Sequence, residues 1–194
     1  MRSLRRERWT FMIKELIDAS LRMSDENTII HILVPPAHAH SHSAFLANTL
    51  STQSILWLDT LGDSIRSDID NPRIHYALTF DLPTVTHTLQ QSSEINWDVL
   101  VIDNISSLFI PLLSSTQGHS VLVDFMRSIQ RFSQPKRIIL INTSLSLAGN
   151  PTFNLLIDAS LHIREESTRG QYAYIVQKSS MHPPGPLTRP LWEL

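Results

Sequence analysis

Apolar residues along this chain gather into short unbroken runs, separated by stretches whose apolar positions recur every three or four residues. The runs are TIIHILVPP (28–36), SILWLDT (54–60), RIHYALTF (73–80), WDVLVID (97–103) and KRIILIN (136–142). A run that is apolar at consecutive positions sends hydrophobic side chains to both faces of a strand. It therefore needs cover on both sides, as in a parallel sheet between helical layers. Two later segments, ASLHIRE (159–165) and QYAYIVQK (171–178), alternate apolar and polar residues instead. The short ESTRG between them predicts a terminal antiparallel hairpin.

The periodic stretches predict helices. Trp9, Met12, Ile13, Leu16 and Ser20 share one face of a helix over residues 4–22. Phe45, Leu46, Thr49 and Leu50 mark a second helix, and Val85 and Leu89 a third, capped by Asp81 with Pro83 in its first turn. Leu122, Phe125, Met126, Ile129 and Phe132 mark a fourth, which ends before Pro135. The order is a helix, then alternating strands and helices, then a hairpin. That order predicts a three-layer α/β domain with a mostly parallel sheet and right-handed crossovers. The expected organisation is an N-terminal amphipathic helix (1–27), a core (28–185) and a proline-rich, extended tail (186–194).

Composition narrows the function. A length of 194 residues suits one domain, and a net charge of −2 gives no overall excess of positive charge to draw in nucleic acid. Any such contact has to be local. The absence of cysteine excludes disulfides and thiolate zinc sites, and suits a reducing compartment. No apolar run is long enough to cross a bilayer, so no membrane role is expected. Charges interrupt the N-terminus where a secretory signal needs an apolar core, and Glu7, Glu15 and Asp18 argue against a mitochondrial presequence. The segment is taken as part of the mature protein.

The stretch PPAHAHSHSAF (35–45) lies between the first strand and the helix after it, where many α/β proteins hold a phosphate. Laid on the pattern G-x-x-x-x-G-K-[ST], Pro36 takes the first glycine, Ser41 the second, His42 the lysine and Ser43 the hydroxyl. Only the hydroxyl survives. Proline has no N–H to donate, and the β-carbons of Ala37, His38 and Ser41 hinder the close approach that a phosphate cradle needs. His38, His40 and His42 alternate, as metal ligands on an extended segment would, but no acid or fourth ligand accompanies them. A solvated loop is the plainer account, and no metal is expected.

Motif order adds to this. WDVLVIDNISSLF has the form of a Walker B strand ending in Asp103, and ILWLDTLGD follows the degenerate loop by one strand. With these the chain resembles the RecA-like core of the eukaryotic and archaeal recombinases and their paralogues. Asp59, Thr60, Leu61 and Gly62 match the family's Asp-Thr-Glu-Gly run. RIHYALTFDLPTVTHTLQQ is similar to the strand and helix between those motifs. RIILINTS is similar to the strand that ends in an Asn-Gln pair, here Asn142 and Thr143. FNLLIDASLHIREESTRGQYAYIVQKSSMHPPG is similar to the closing β-ribbon, with Lys178, Ser179 and Pro183 at its signature. The likeness spans residues 28–185.

The departures from the family shape what the resemblance implies. Leu61 stands at the catalytic glutamate and cannot accept a proton. No nucleotide cofactor and no ATPase activity are therefore expected. The family's two DNA-facing loops correspond to PLLSSTQGHS (111–120) and SLSLAGNPTFN (144–154), neither of which holds lysine or arginine. Basic residues gather elsewhere: Arg2, Arg5, Arg6 and Arg8; Arg127, Arg131, Lys136 and Arg137; and Arg164, Arg169 and Lys178. Each cluster is a candidate DNA contact, with plain solvation as the simpler account. Trp192, near the C-terminus, is a candidate partner anchor, or packs back on its own domain.

What the resemblance implies is a non-catalytic recombinase paralogue in the nucleus, similar to the Walker-deficient subunits of the Shu complex. Such a protein pairs with another RecA-like subunit in a heterodimer or larger complex. It assists homologous recombination and DNA repair by stabilising the main recombinase filament, with single-stranded DNA reached through the complex. The alternative is a RecA-like accessory subunit of Elongator, acting in tRNA wobble-uridine modification.

Overall fold

The computed structural model describes residues 29–36, 39–62, 71–132, 137–166 and 171–179. The expected helix over residues 4–22 and the tail lie outside the described residues. The strands are β1 (Ile29–Leu33), β2 (Ile55–Asp59), β3 (Ile74–Leu78), β4 (Val99–Asp103), β5 (Arg137–Asn142), β6 (Ala159–Glu166) and β7 (Gln171–Ser179). The α-helices are α1 (Ala39–Thr49), α2 (Leu82–Gln91), α3 (Ile105–Phe109), α4 (Thr116–Phe132), α5 (Leu145–Ala148) and α6 (Pro151–Leu155).

All seven strands join one sheet in the order β3-β2-β4-β5-β1-β6-β7. Neighbours run parallel except β6 and β7, which form the antiparallel hairpin. Every residue of β1, β2 and β4 is buried, as unbroken apolar runs require. Side chains alternate between the faces. Ile29, Leu56, Leu58, Leu100, Ile102, Ile138 and Leu140 pack with residues of α2, α3 and α4. Ile30, Ile32, Ile55, Trp57, Val99, Val101, Ile139 and Ile141 pack with Leu46 and Ala47 of α1 and with Leu50, which follows it. Each of these large side chains contributes about 1.5–3 kcal/mol by leaving water, so the double-sided sheet dominates the stability. β3 lies at an edge and is only half-buried.

Local chemistry sets the helix ends. Asp81 accepts from the Thr84 N–H and starts α2, with Pro83 in the first turn. α4 is the longest of the described helices, and Leu122, Phe125, Met126 and Ile129 form its buried stripe. Among the described residues no helix is long and apolar enough to cross a membrane.

The two segments that correspond to the family's DNA-facing loops are not loops throughout. The second half of 111–120 is already helix, because α4 begins at Thr116. Residues 144–154 fold into α5 and α6. Ser144 caps α5 by accepting from the Ser146 N–H, Asn150 caps α6 by accepting from the Phe153 N–H, and Leu147 and Phe153 are fully buried.

Candidate functional site

Open parallel sheets bind ligands outside the carboxyl ends of their strands. There β2 and β4 end side by side, with Asp59 in register with Asp103. Alternation from Trp57 and Val101 carries both carboxylates to the α1 face. Ser43, buried in α1, hydrogen-bonds the Asp103 carboxyl. The structure thus brings together two of the residues singled out from the sequence.

Burial pushes the Asp103 carboxyl up to about 6; the Ser43 hydrogen bond opposes the shift and the nearby Asp59 charge adds to it. The Trp57 indole and the Asn104 backbone also favour the charged form. Even so, Asp103 Oδ2 and Trp57 Nε1 do not meet in hydrogen-bonding geometry, and neither atom has another hydrogen-bond partner.

Asp59 is engaged differently. Its Oδ1 accepts from the N–H groups of Leu61 (3.0 Å) and Gly62 (2.9 Å), and its Oδ2 accepts from the Tyr76 hydroxyl at 2.5 Å. Gly62 closes this turn with φ +78°, a conformation that only glycine adopts without strain. Leu61 is left 47% exposed, an aliphatic chain at the rim of the site. The Thr60 hydroxyl lies 3.0 Å from the Asp103 carbonyl, 2.8 Å from that of Asn104 and 2.6 Å from Ser107 Oγ. Asn104, with φ 66°, donates from Nδ2 to Thr143 Oγ1 at 2.9 Å. These bonds stitch together the ends of β2, β4 and β5.

Pro36 is exposed in the β1–α1 connection, and Ser41 and His42 sit in the first turn of α1, where their side chains lie outside the described residues. A nucleotide phosphate in the usual place would meet Ser43 and Asp103, which suit a magnesium ion. It would find no donor on the Pro36 nitrogen and no base on Leu61. Among the described residues no three histidine or acidic side chains group as a metal site.

The basic candidates are dispersed. Arg127 and Arg131 are exposed one turn apart on α4, and Arg137, half-buried, opens β5. Arg137 lies at the opposite end of β5 from Asn142, roughly 17 Å away at the usual strand rise. Arg137 therefore sits at the far end of the sheet from Asp103. Arg164 and Lys178 lie on β6 and β7 but are not register partners: Arg164 faces Ala173, and Lys178 faces Ser160. Arg2, Arg5, Arg6, Arg8, Lys136, Arg169 and Trp192 lie outside the described residues.

A second polar cluster was not expected from the sequence. His31, fully buried in the middle of β1, has its Nδ1 2.8 Å from Ser160 Oγ and its Nε2 3.1 Å from Asn142 Nδ2. Its ring meets Phe153 edge-on at 5.0 Å and His162 at 6.0 Å. Burial, helped by His162, pulls the His31 pKa down to about 3. One signal was available in the sequence: His31 interrupts an otherwise apolar run, and a buried imidazole needs partners.

No family model matches the chain, and no curated protein matches it. Among solved structures, the crystal structure of the RadB recombinase is similar, with a TM-score of 0.64 over 83% of this chain and 85% of that one, at 13% identity. The architecture expected from motif order is thereby established: the chain has a RecA-like α/β fold.

Proposed function

We propose that this protein is a non-catalytic recombinase paralogue, acting in homologous recombination and DNA repair through contact rather than ATP turnover. Its RecA-like fold and its likeness to the RadB recombinase support the recombination setting. The observation that carries the non-catalytic reading is the turn after β2. Asp59 is consumed in holding the Leu61 and Gly62 amides, and the next outward-facing side chain is an aliphatic leucine. A water-activating base is worth about 10²–10⁴ in rate, and this turn supplies none.

In this reading the chain resembles the Walker-deficient subunits of the Shu complex. It pairs in the nucleus with another RecA-like subunit, and the pair stabilises recombinase filaments on single-stranded DNA. The basic clusters contribute to a composite DNA surface. The 111–120 and 144–154 segments, which carry no lysine or arginine, contribute little phosphate affinity.

Affinity purification from the source cell, followed by mass spectrometry and a filament-lifetime assay, tests the proposal. Recovery of a RecA-like partner, and slower filament disassembly when the purified pair is added, are expected. Recovery of Elongator subunits, or a filament lifetime indifferent to the pair, overturns it.

A further inference from the structure

The buried cluster around His31 has a directional logic. Asn142 Oδ1 accepts from the Ser144 N–H at 2.8 Å, which fixes the orientation of the amide, because a flipped Asn142 would set one donor against another. Nδ2 then donates to the Ser144 carbonyl at 2.9 Å and to His31 Nε2 at 3.1 Å. His31 Nε2 must accept, so the proton sits on Nδ1 and is given to Ser160 Oγ. Every polar atom of the His31 ring and of the Asn142 side chain is used.

These bonds converge on one segment. Ser144 begins residues 144–155 and caps α5. Phe153 of α6 lies against the His31 ring, and Asn154 Nδ2 donates back to the Ala148 carbonyl at 3.0 Å. The segment is thus held to the sheet at Ser144 and at Phe153, and the Asn154–Ala148 bond ties its two short helices together. Leu145 and Leu155 nevertheless remain 72% and 82% exposed.

We propose that His31 and Asn142 form a latch that holds residues 144–155 folded on the sheet whether or not a nucleotide is present. The inference rests on the reading that no nucleotide governs this end of the molecule. His31 acts as a positioning residue, reaching the segment through Asn142 and Phe153. The latch joins β1, β5 and β6 and involves neither Ser43 nor Asp103.

Hydrogen exchange on the intact chain tests this. In His31→Leu, which removes both ring hydrogen bonds, amides of residues 144–155 should exchange about tenfold faster or more, while those of β2 and β4 keep their wild-type rates. Unchanged exchange in 144–155, or the same acceleration throughout the sheet, overturns the latch. Should His31→Leu fail to fold, His31→Gln keeps a polar group towards Asn142 but loses the ring edge against Phe153. It should give the same local pattern with a smaller factor, and wild-type rates there overturn the latch equally. Wild-type protein with magnesium and ATP at millimolar concentration should match the nucleotide-free protein across 144–155. Protection there would overturn nucleotide independence, and with it the functional reading, while the His31 variants still report on the latch itself.

Discussion

Asp103 and His31 are buried ionisable groups on opposite faces of the same sheet, in β4 and β1 on either side of β5, and they impose opposite pH dependences. Asp103 has its folded pKa raised from 3.8 to about 6, so the folded state holds the proton more tightly than the unfolded one. Its contribution is intact at low pH and is lost as pH rises from about 4 to about 6, a cost of up to about 3 kcal/mol at neutrality. His31 has its folded pKa lowered from 6.5 to about 3, so stability is intact above about pH 6.5 and is lost as pH falls through that window. Between pH 4 and 6 the two slopes oppose each other. Replacing Asp103 with Asn should raise stability at pH 7.5 by about 1–3 kcal/mol and leave it nearly unchanged at pH 4. It should also expose the steeper rise with pH that His31 imposes. Urea unfolding across pH 4–8 measures this, and a loss of stability at pH 7.5 would mean that the carboxylate is compensated by partners other than those described.

Gly62 sits at φ +78° between Asp59 and the edge strand, so Gly62→Ala should cost about 1–2 kcal/mol in chemical denaturation while leaving the sheet intact. Gly118, in the first turn of α4, is more constrained, because a β-carbon there would lie 1.8 Å from the Leu112 carbonyl oxygen. Gly118→Ala must displace backbone and should cost about 2 kcal/mol or more; a smaller loss than at Gly62 would contradict the packing described.

The strands and longer helices were legible in the sequence because burial on both faces writes continuous runs and burial on one face writes a periodic stripe. The Asp81 cap and the end of α4 before Pro135 were legible for the same local reasons. α5 and α6 were not, since helices of four and five residues are too short to show a period. Their only marks are the caps Ser144 and Asn150 and the proline at 151. In the candidate site, Ser43 and Asp103 were found from motif order. The engagement of Asp59 by Tyr76, and the His31 network, depend on strand neighbours that are distant in sequence, which a linear pattern does not display.

At the scale of the molecule, charge and site are separated. Arg137 lies at the amino end of β5 and Arg131 in the last turn of the helix that precedes it, while Ser43, Leu61 and Asp103 lie at the carboxyl ends. A DNA contact through these arginines would therefore be independent of whatever occupies the carboxyl ends. Replacing Arg127 and Arg131 with alanine should reduce the salt slope of DNA binding by the assembled complex, by about one unit of log–log slope per lost phosphate contact. The same test applies to Arg5, Arg6 and Arg8. An unchanged slope removes the mutated cluster from the contact surface.

The account as a whole turns on a RecA-like scaffold that works without ATP. Titrating the purified protein with magnesium and a non-hydrolysable ATP analogue in a calorimeter tests this most directly. The account predicts no saturable heat up to millimolar analogue, roughly the weak limit of useful affinity. Micromolar binding that disappears on replacing Ser43 or Asp103 with alanine would contradict it.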